Sequence, residues 1–427
     1  MNDMTTGLTS LRRQMGNGAI AISSESPATP AVTIVAALRA GSVVDPPASP
    51  GLMHFLARTI DRGTVGYAAE EIAELLDLRG VSLSVVAMRH LFVLSCTCLS
   101  EDFDAMMSLL GEVVRRPTLP ETEIETRRGE TVTAIRQDQD NPAMVAVEEQ
   151  LALLYPGGHP YGRRVKGTLE SVERLDREAL VGAHRTWFAP SSLVVVSVGD
   201  VDAARAVDQA ERVFGDWAGD APGQPPVPPV PPPAERREAV FPMMNKAQAD
   251  LAYGFNTIAR RDPSYHAFSV MNNVLGQYAL GGRLGDRIRE RQGMAYYVFS
   301  AFEPNVGEGP LVIRAGVNPA NVERAVAAID GELRLLASEG VTARELAESK
   351  QYLVGSMPRM LETNAGIATF LQTCEQFDLG LDYDRKLPGL IDAVTLDEAN
   401  ETARQFLDPG LATITIAGPY RRDNAGG

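Results

Sequence analysis

Cysteine and histidine are scarce, with three and five residues in 427. Three cysteines cannot make a disulfide framework. Two of them, Cys96 and Cys98, sit in the alternating run LFVLSCTCLS, where both face one side of a strand rather than forming a zinc knuckle. Long apolar runs are also missing: none approaches the roughly 18 residues of a membrane span. The opening MNDMTTGLTSLRRQM lacks the apolar segment of a secretory signal, which points to a cytoplasmic protein, or a periplasmic one if a signal has been removed. Basic charge is in deficit too. Forty lysines and arginines against fifty-five acids give a net charge of -15, the wrong sign for a general binder of nucleic acid. No G-x-S-x-G elbow is present to carry a serine nucleophile.

What is present is the ordinary globular balance, 44% hydrophobic and 22% charged, over a length that suits two or three domains. Proline is concentrated: eight of the twelve residues from Pro222 to Pro233. That density forbids helix and central strand and favours an extended linker of about 37 Å. Residues 221–236 thus divide a first domain, 1–220, from a second, 237–427.

The halves look like copies, although chance likeness of two α+β segments is an alternative. Arg185, Pro190 and Gly199 in RTWFAPSSLVVVSVGDV have the same mutual spacing as Arg404, Pro409 and Gly418 in RQFLDPGLATITIAGPY. Each half also carries an amphipathic helix, with Phe103, Met107, Leu110 and Val114 in one and Val322, Val326, Ile329, Leu333 and Leu336 in the other. Strands cluster, with His90 expected inside one of them. This predicts an α+β fold of two homologous two-layer domains, each a mixed sheet with helices packed on it.

The stretch Ala40–Thr64, AGSVVDPPASPGLMHFLARTIDRGT, resembles the pitrilysin/insulinase metallopeptidase family, in its bacterial and mitochondrial processing-peptidase branch. That family has a zinc helix H-x-x-E-H, in which two histidines four apart hold the metal and the glutamate serves as general base. Here the pattern is degenerate: His54 remains, but Ala57 replaces the base and Arg58 the second ligand. The third ligand of the family, a glutamate 76 residues further on, falls at Ala134. One imidazole cannot hold catalytic zinc, and Arg58 adds a repelling cation, so no cofactor is expected in this chain. His54 then reads as a half-buried helix residue. The other histidines, His90, His159, His184 and His266, have no ligand spacing.

The second half keeps the family's other signature. In GQYALGGRLGDRIRERQGMAYYVFSAFEP, Gly281 and Gly282 precede a helix, Gly293 ends it and Tyr296 opens a strand. The resemblance implies that Arg289 and Tyr296 hydrogen-bond the scissile carbonyl and that Gly281 and Gly282 contact substrate. An arginine in a last helical turn and a tyrosine in a half-buried strand also have purely structural readings. The turn PGGHPYGRRVKGT, Pro156–Thr168, is a further match.

Taken together, the resemblance implies half of a clamshell: a subunit that binds no zinc itself and pairs with a homologous H-x-x-E-H chain that brings zinc, with a peptide as substrate. The alternative is a non-catalytic structural or peptide-binding subunit, like the core proteins of the respiratory bc1 complex.

Overall fold

The computed structural model describes residues 7–231, 233–277 and 281–422. Pro232 of the linker and residues 278–280 of the glycine-rich stretch lie outside the described residues.

Eleven strands form two mixed sheets among the described residues. The first contains β1 (Ser10–Gln14), β2 (Ile20–Glu25), β3 (Ala31–Leu38), β4 (Ser84–Ala87), β5 (Phe92–Leu99) and β6 (Leu193–Gly199), in the order β1-β2-β6-β3-β5-β4. The second contains β7 (Arg237–Pro242), β8 (Ala249–Asn256), β9 (Ala295–Phe302), β10 (Pro310–Val317) and β11 (Thr413–Gly418), in the order β7-β11-β8-β10-β9. Remove β1 and the sheets have one topology. The strand that ends each half is parallel to the strand that opens it (β6 with β2, β11 with β7), and every other pairing is antiparallel.

The matched spacing in the sequence has a physical basis. In each half, helix Arg177–Trp187 or Leu396–Phe406 stops at a proline that opens one 3-10 turn, and the closing strand then ends in a glycine at positive φ. A Cβ at Gly199 would lie 2.1 Å from the Ala31 carbonyl oxygen, and one at Gly418 would lie 2.6 Å from Ala249 Cα. Only glycine permits both the backbone angle and the close approach.

The compact units interleave. One consists of Met1–Ile135, Arg164–Pro225 and Met357–Lys386, the other of Arg136–Arg163, Pro226–Ser356 and Leu387–Gly427. The contiguous spans 1–220 and 237–427 are therefore not the compact units, because each half lends a helix to the other's sheet. Helix Asn364–Phe377 lies on β3 and β6 of the first sheet, where Asn364 donates to the Ala31 carbonyl at 2.9 Å. Helix Pro142–Leu154 lies on β8 and β11 of the second, with Ala146 against Ala252, Val312 and Ala417. Gln150 of that helix is fully buried, donates to Thr413 Oγ1 at 2.8 Å and occupies the space left by Gly254. Sheets covered on both faces explain the unbroken burial of β6 and β11 and the burial of all of β8 but its last residue, Asn256.

The amphipathic helices occupy the expected places. Phe103, Met107, Leu110 and Val114 of Phe103–Arg115, and Ile329, Leu333 and Leu336 of Val322–Glu339, are all buried. Cys96 and Cys98 are free and buried on one face of β5, where burial pushes their thiols up to about 12 and about 11. His90 is not in a strand but in the turn between β4 and β5. Residues 221–231 form neither helix nor strand; Ala221, Gln224, Val227 and Val230 are half-buried and the residues between them exposed, the threefold repeat of a polyproline II helix. Gln224 bonds the His90 carbonyl and Nδ1, and His159 Nε2 bonds the Pro228 carbonyl. No helix among the described residues is long and apolar enough to cross a membrane.

Candidate functional site

The stretch that resembles a zinc motif, His54 to Arg58, lies on helix Leu52–Thr59 of the first unit. Its N-terminus is fixed by Asp45, a buried carboxylate that accepts from the Gly51 and Met53 N–H groups at 2.8 and 2.9 Å. The end of the Pro156–Thr168 turn packs here as well. Gly51 and Gly167, both at positive φ, touch backbone to backbone, and Ser171 Oγ donates to the Pro50 carbonyl. The framework that would present ligands is therefore intact.

The ligands are not. His54 is half-buried, Ala57 is buried, Arg58 is exposed and Ala134 is half-buried on helix Glu121–Gln139. Arg58 pairs with Glu130, one turn before Ala134 on that helix, at 3.0 Å. Arg127 takes the other oxygen of Glu130 at 2.5 Å. Those two guanidiniums, Arg127 foremost, hold the Glu130 carboxyl below the usual carboxylate range. The Arg58–Glu130 ion pair joins helix Leu52–Thr59 to helix Glu121–Gln139. Asp61 completes the cluster: burial pushes its carboxyl up against the opposing pull of Arg62, Arg127 and Arg58. A dication would meet fixed cations and no set of ligands, so these residues do not fit zinc. Among the described residues no group of three or more His, Cys, Asp or Glu side chains could hold a metal ion.

The retained signature lies in the second unit. The helical segments around the glycine-rich stretch are π-helical, Asn273–Gln277 before it and Gly285–Glu290 after it. Such turns are rare and concentrate at functional sites. Gly281 is exposed, whereas Gly282 is buried with its Cβ position 2.8 Å from Gly276 Cα, so backbone packing alone demands glycine there. Both line a cavity of about 370 Å³. Arg283, buried beside them, forks onto Glu345 with two 2.7 Å bonds and donates to the Gly340 carbonyl at 2.8 Å. Gly293, at φ 58°, ends the helical segment.

Arg289 points outward, its side chain 43% exposed, and its ion pair among the described residues is a long 3.6 Å contact to adjacent Glu290. Tyr296 is 60% exposed. The reason lies in β9, whose register against β10 slips: Tyr297 faces Gly316 but Ala295 faces Val317. Tyr296 is the extra residue of a β-bulge, a device that re-aims a side chain. Alternation would have placed Tyr296 and Tyr297 on opposite faces; the bulge turns both away from the core that holds Ala295 and Val298. The repeated tyrosine in AYYVFSAF was the available signal, but no local rule distinguishes a bulge from a continuous strand. β9 is also an edge strand, with no strand beyond it among the described residues.

Comparison with known proteins agrees with this anatomy. Residues 20–168 match the family described as insulinase (peptidase family M16), and residues 174–353 match the peptidase M16 inactive domain. The inactive-domain match begins at residue 174, beyond Ala57, Arg58 and Ala134, so its description does not concern those positions. An uncharacterized zinc protease of Bacillus subtilis is 26% identical over 94% of this chain and 97% of its own length. The mitochondrial-processing peptidase subunit beta of Rattus norvegicus is 23% identical over 94% of this chain and 83% of its own. The crystal structure of a peptidase M16 inactive domain from Pseudomonas fluorescens superposes with a TM-score of 0.88 at 25% identity, covering 96% of this chain and 98% of that one. With both halves matched and the duplicated fold shared, the chain belongs to the insulinase (M16) family of metallopeptidases.

Proposed function

We propose that this chain is the non-zinc subunit of a heteromeric zinc metallopeptidase. A homologous chain with an intact H-x-x-E-H supplies the metal site, and this chain closes the chamber and contributes Arg289 and Tyr296 to the carbonyl of the bound peptide. One contrast carries the reading: the ligand positions have been given over to the Arg58–Glu130 ion pair, while Arg289 and Tyr296 are retained and exposed. A guanidinium and a phenol are suited to the oxygen of a tetrahedral intermediate, which gains negative charge as the peptide bond is attacked. The name of the mitochondrial relative, a subunit, is consistent with a partnered arrangement. The exposed edge of β9 beside Tyr296 suits an extended peptide.

The test is to assay this chain alone and mixed with an H-x-x-E-H homologue, on an internally quenched peptide. Hydrolysis is expected only in the mixture, with kcat falling by on the order of 10² in Arg289→Ala or Tyr296→Phe. Hydrolysis by this chain alone, or undiminished rates in both variants, defeats the proposal. The second result would favour a structural subunit of the bc1 core type.

A further inference from the structure

The residue next to Tyr296 makes a contact that its strand position does not call for. Tyr297 lies on edge strand β9, yet its hydroxyl donates to Asp250 Oδ1 on β8, two strands away, at 2.5 Å. The register permits this: Tyr297 is opposite Gly316, and Gly316 is opposite Asp250, so the three lie in one line across the sheet. The ring crosses the middle strand at Gly316, where a Cβ would sit 2.5 Å from Tyr297 Cε1. Any other residue there would block the crossing. Asp250 is 2% exposed, and Gln248 Nε2 donates to both of its oxygens at 3.1 Å. Burial, followed by this bond to Asp250, pushes the Tyr297 phenol up, so it remains a donor throughout the physiological range. The line is crossed at the point where the register slips, between Gly316 and Val317. Ala295 is held on the core side by packing and Tyr297 on the other by Asp250, leaving the extra residue, Tyr296, one direction in which to point.

We infer that Tyr297 and Asp250, with Gln248 and the gap at Gly316, are positioning residues that lock the β9 bulge and thereby aim Tyr296. This deepens the proposed function and rests on it only for the catalytic consequence. A reaction that depends on a donor placed to within a fraction of an ångström is sensitive to such a lock.

The experiment has two arms. In the first, the isolated chain is labelled with 3-fluorotyrosine and the Tyr296 fluorine signal is assigned by its loss in Tyr296→Phe. One sharp resonance is expected in the wild type, and a broadened or split one in Tyr297→Phe and in Asp250→Ala. Asp250→Asn, which keeps an acceptor oxygen, should restore the single line. In the second arm, the complex with the zinc subunit is assayed. Tyr297→Phe is expected to lower kcat about tenfold with KM little changed, and to cost nothing more when added to Tyr296→Phe. An unchanged Tyr296 resonance in Tyr297→Phe overturns the inference, as does a loss that persists undiminished in the Tyr296→Phe background. A split resonance together with a silent Tyr296→Phe supports the positional claim and defeats the catalytic reading instead.

Discussion

Four residues of the first unit, His54, Ala57, Arg58 and Ala134, carry the comparison with the resembled zinc motif, and each was legible in the sequence by spacing. Ala57, Arg58 and Ala134 stand where the resembled motif has a base and two ligands, and His54 belongs to no group of three or more His, Cys, Asp or Glu side chains among the described residues that could hold a metal ion. The partner of Arg58 was not legible. Glu130 lies on an exposed face of a highly charged helix, where any of several glutamates might have met Arg58, and only packing selects the one. An exposed pair of this kind contributes little to stability, in the range of about 0–1 kcal/mol. The isolated chain should therefore keep its unfolding temperature when treated with a chelator and yield no stoichiometric zinc by elemental analysis. A shift of several degrees on chelation, scored by calorimetry, would contradict the reading of this site.

Elements show where sequence rules end. Amphipathic periodicity located Phe103–Arg115 and Val322–Glu339 because burial of one helical face is a local pattern. The π-turns and the β9 bulge depend on partners distant in the chain and left no local mark. The Arg283–Glu345 fork, which ties the start of the second π-segment to helix Ala343–Met360, is of the same kind. Burial opposes ionisation of Glu345, but the Arg283 fork and the Thr342 N–H and hydroxyl outweigh it and hold the carboxyl at about 2. Because the folded value lies below the unfolded one, this stabilisation is complete above about pH 4.5 and is lost as the pH falls towards 2. The difference in urea stability between wild type and Glu345→Gln should therefore be constant from pH 7 to 5 and shrink below pH 4.5. Equal differences at pH 7 and pH 2.5 would show that the fork is not what depresses the carboxyl.

At the scale of the whole molecule, duplication was visible in the repeated spacing of arginine, proline and glycine, while the exchange of helices was not. Each sheet is completed by a helix encoded in the other half, Asn364–Phe377 for the first and Pro142–Leu154 for the second. Residues 1–220 made alone would leave β3 and β6 uncovered on one face, and residues 237–427 would leave β8 and β11 uncovered. Either fragment should be insoluble or bind a dye that reports exposed apolar surface. Co-expressed, the two should copurify as one folded species with the circular dichroism of the intact chain. A first fragment that is monomeric and melts cooperatively by itself would show that the lent helix is dispensable.

The sequence by itself determined which residue types stand at the resembled motif positions, Ala57, Arg58 and Ala134 in one half and Arg289 and Tyr296 in the other, since residue type and spacing are read without a fold. It also determined the α+β class and its repetition, because periodicity and turn residues act over a few neighbours. Only the tertiary structure decided which helix covers which sheet, which acid answers Arg58 and which way Tyr296 points. Those outcomes are set by contacts between segments tens to hundreds of residues apart, such as Asn364 with Ala31 and Tyr297 with Asp250, which local pattern does not encode.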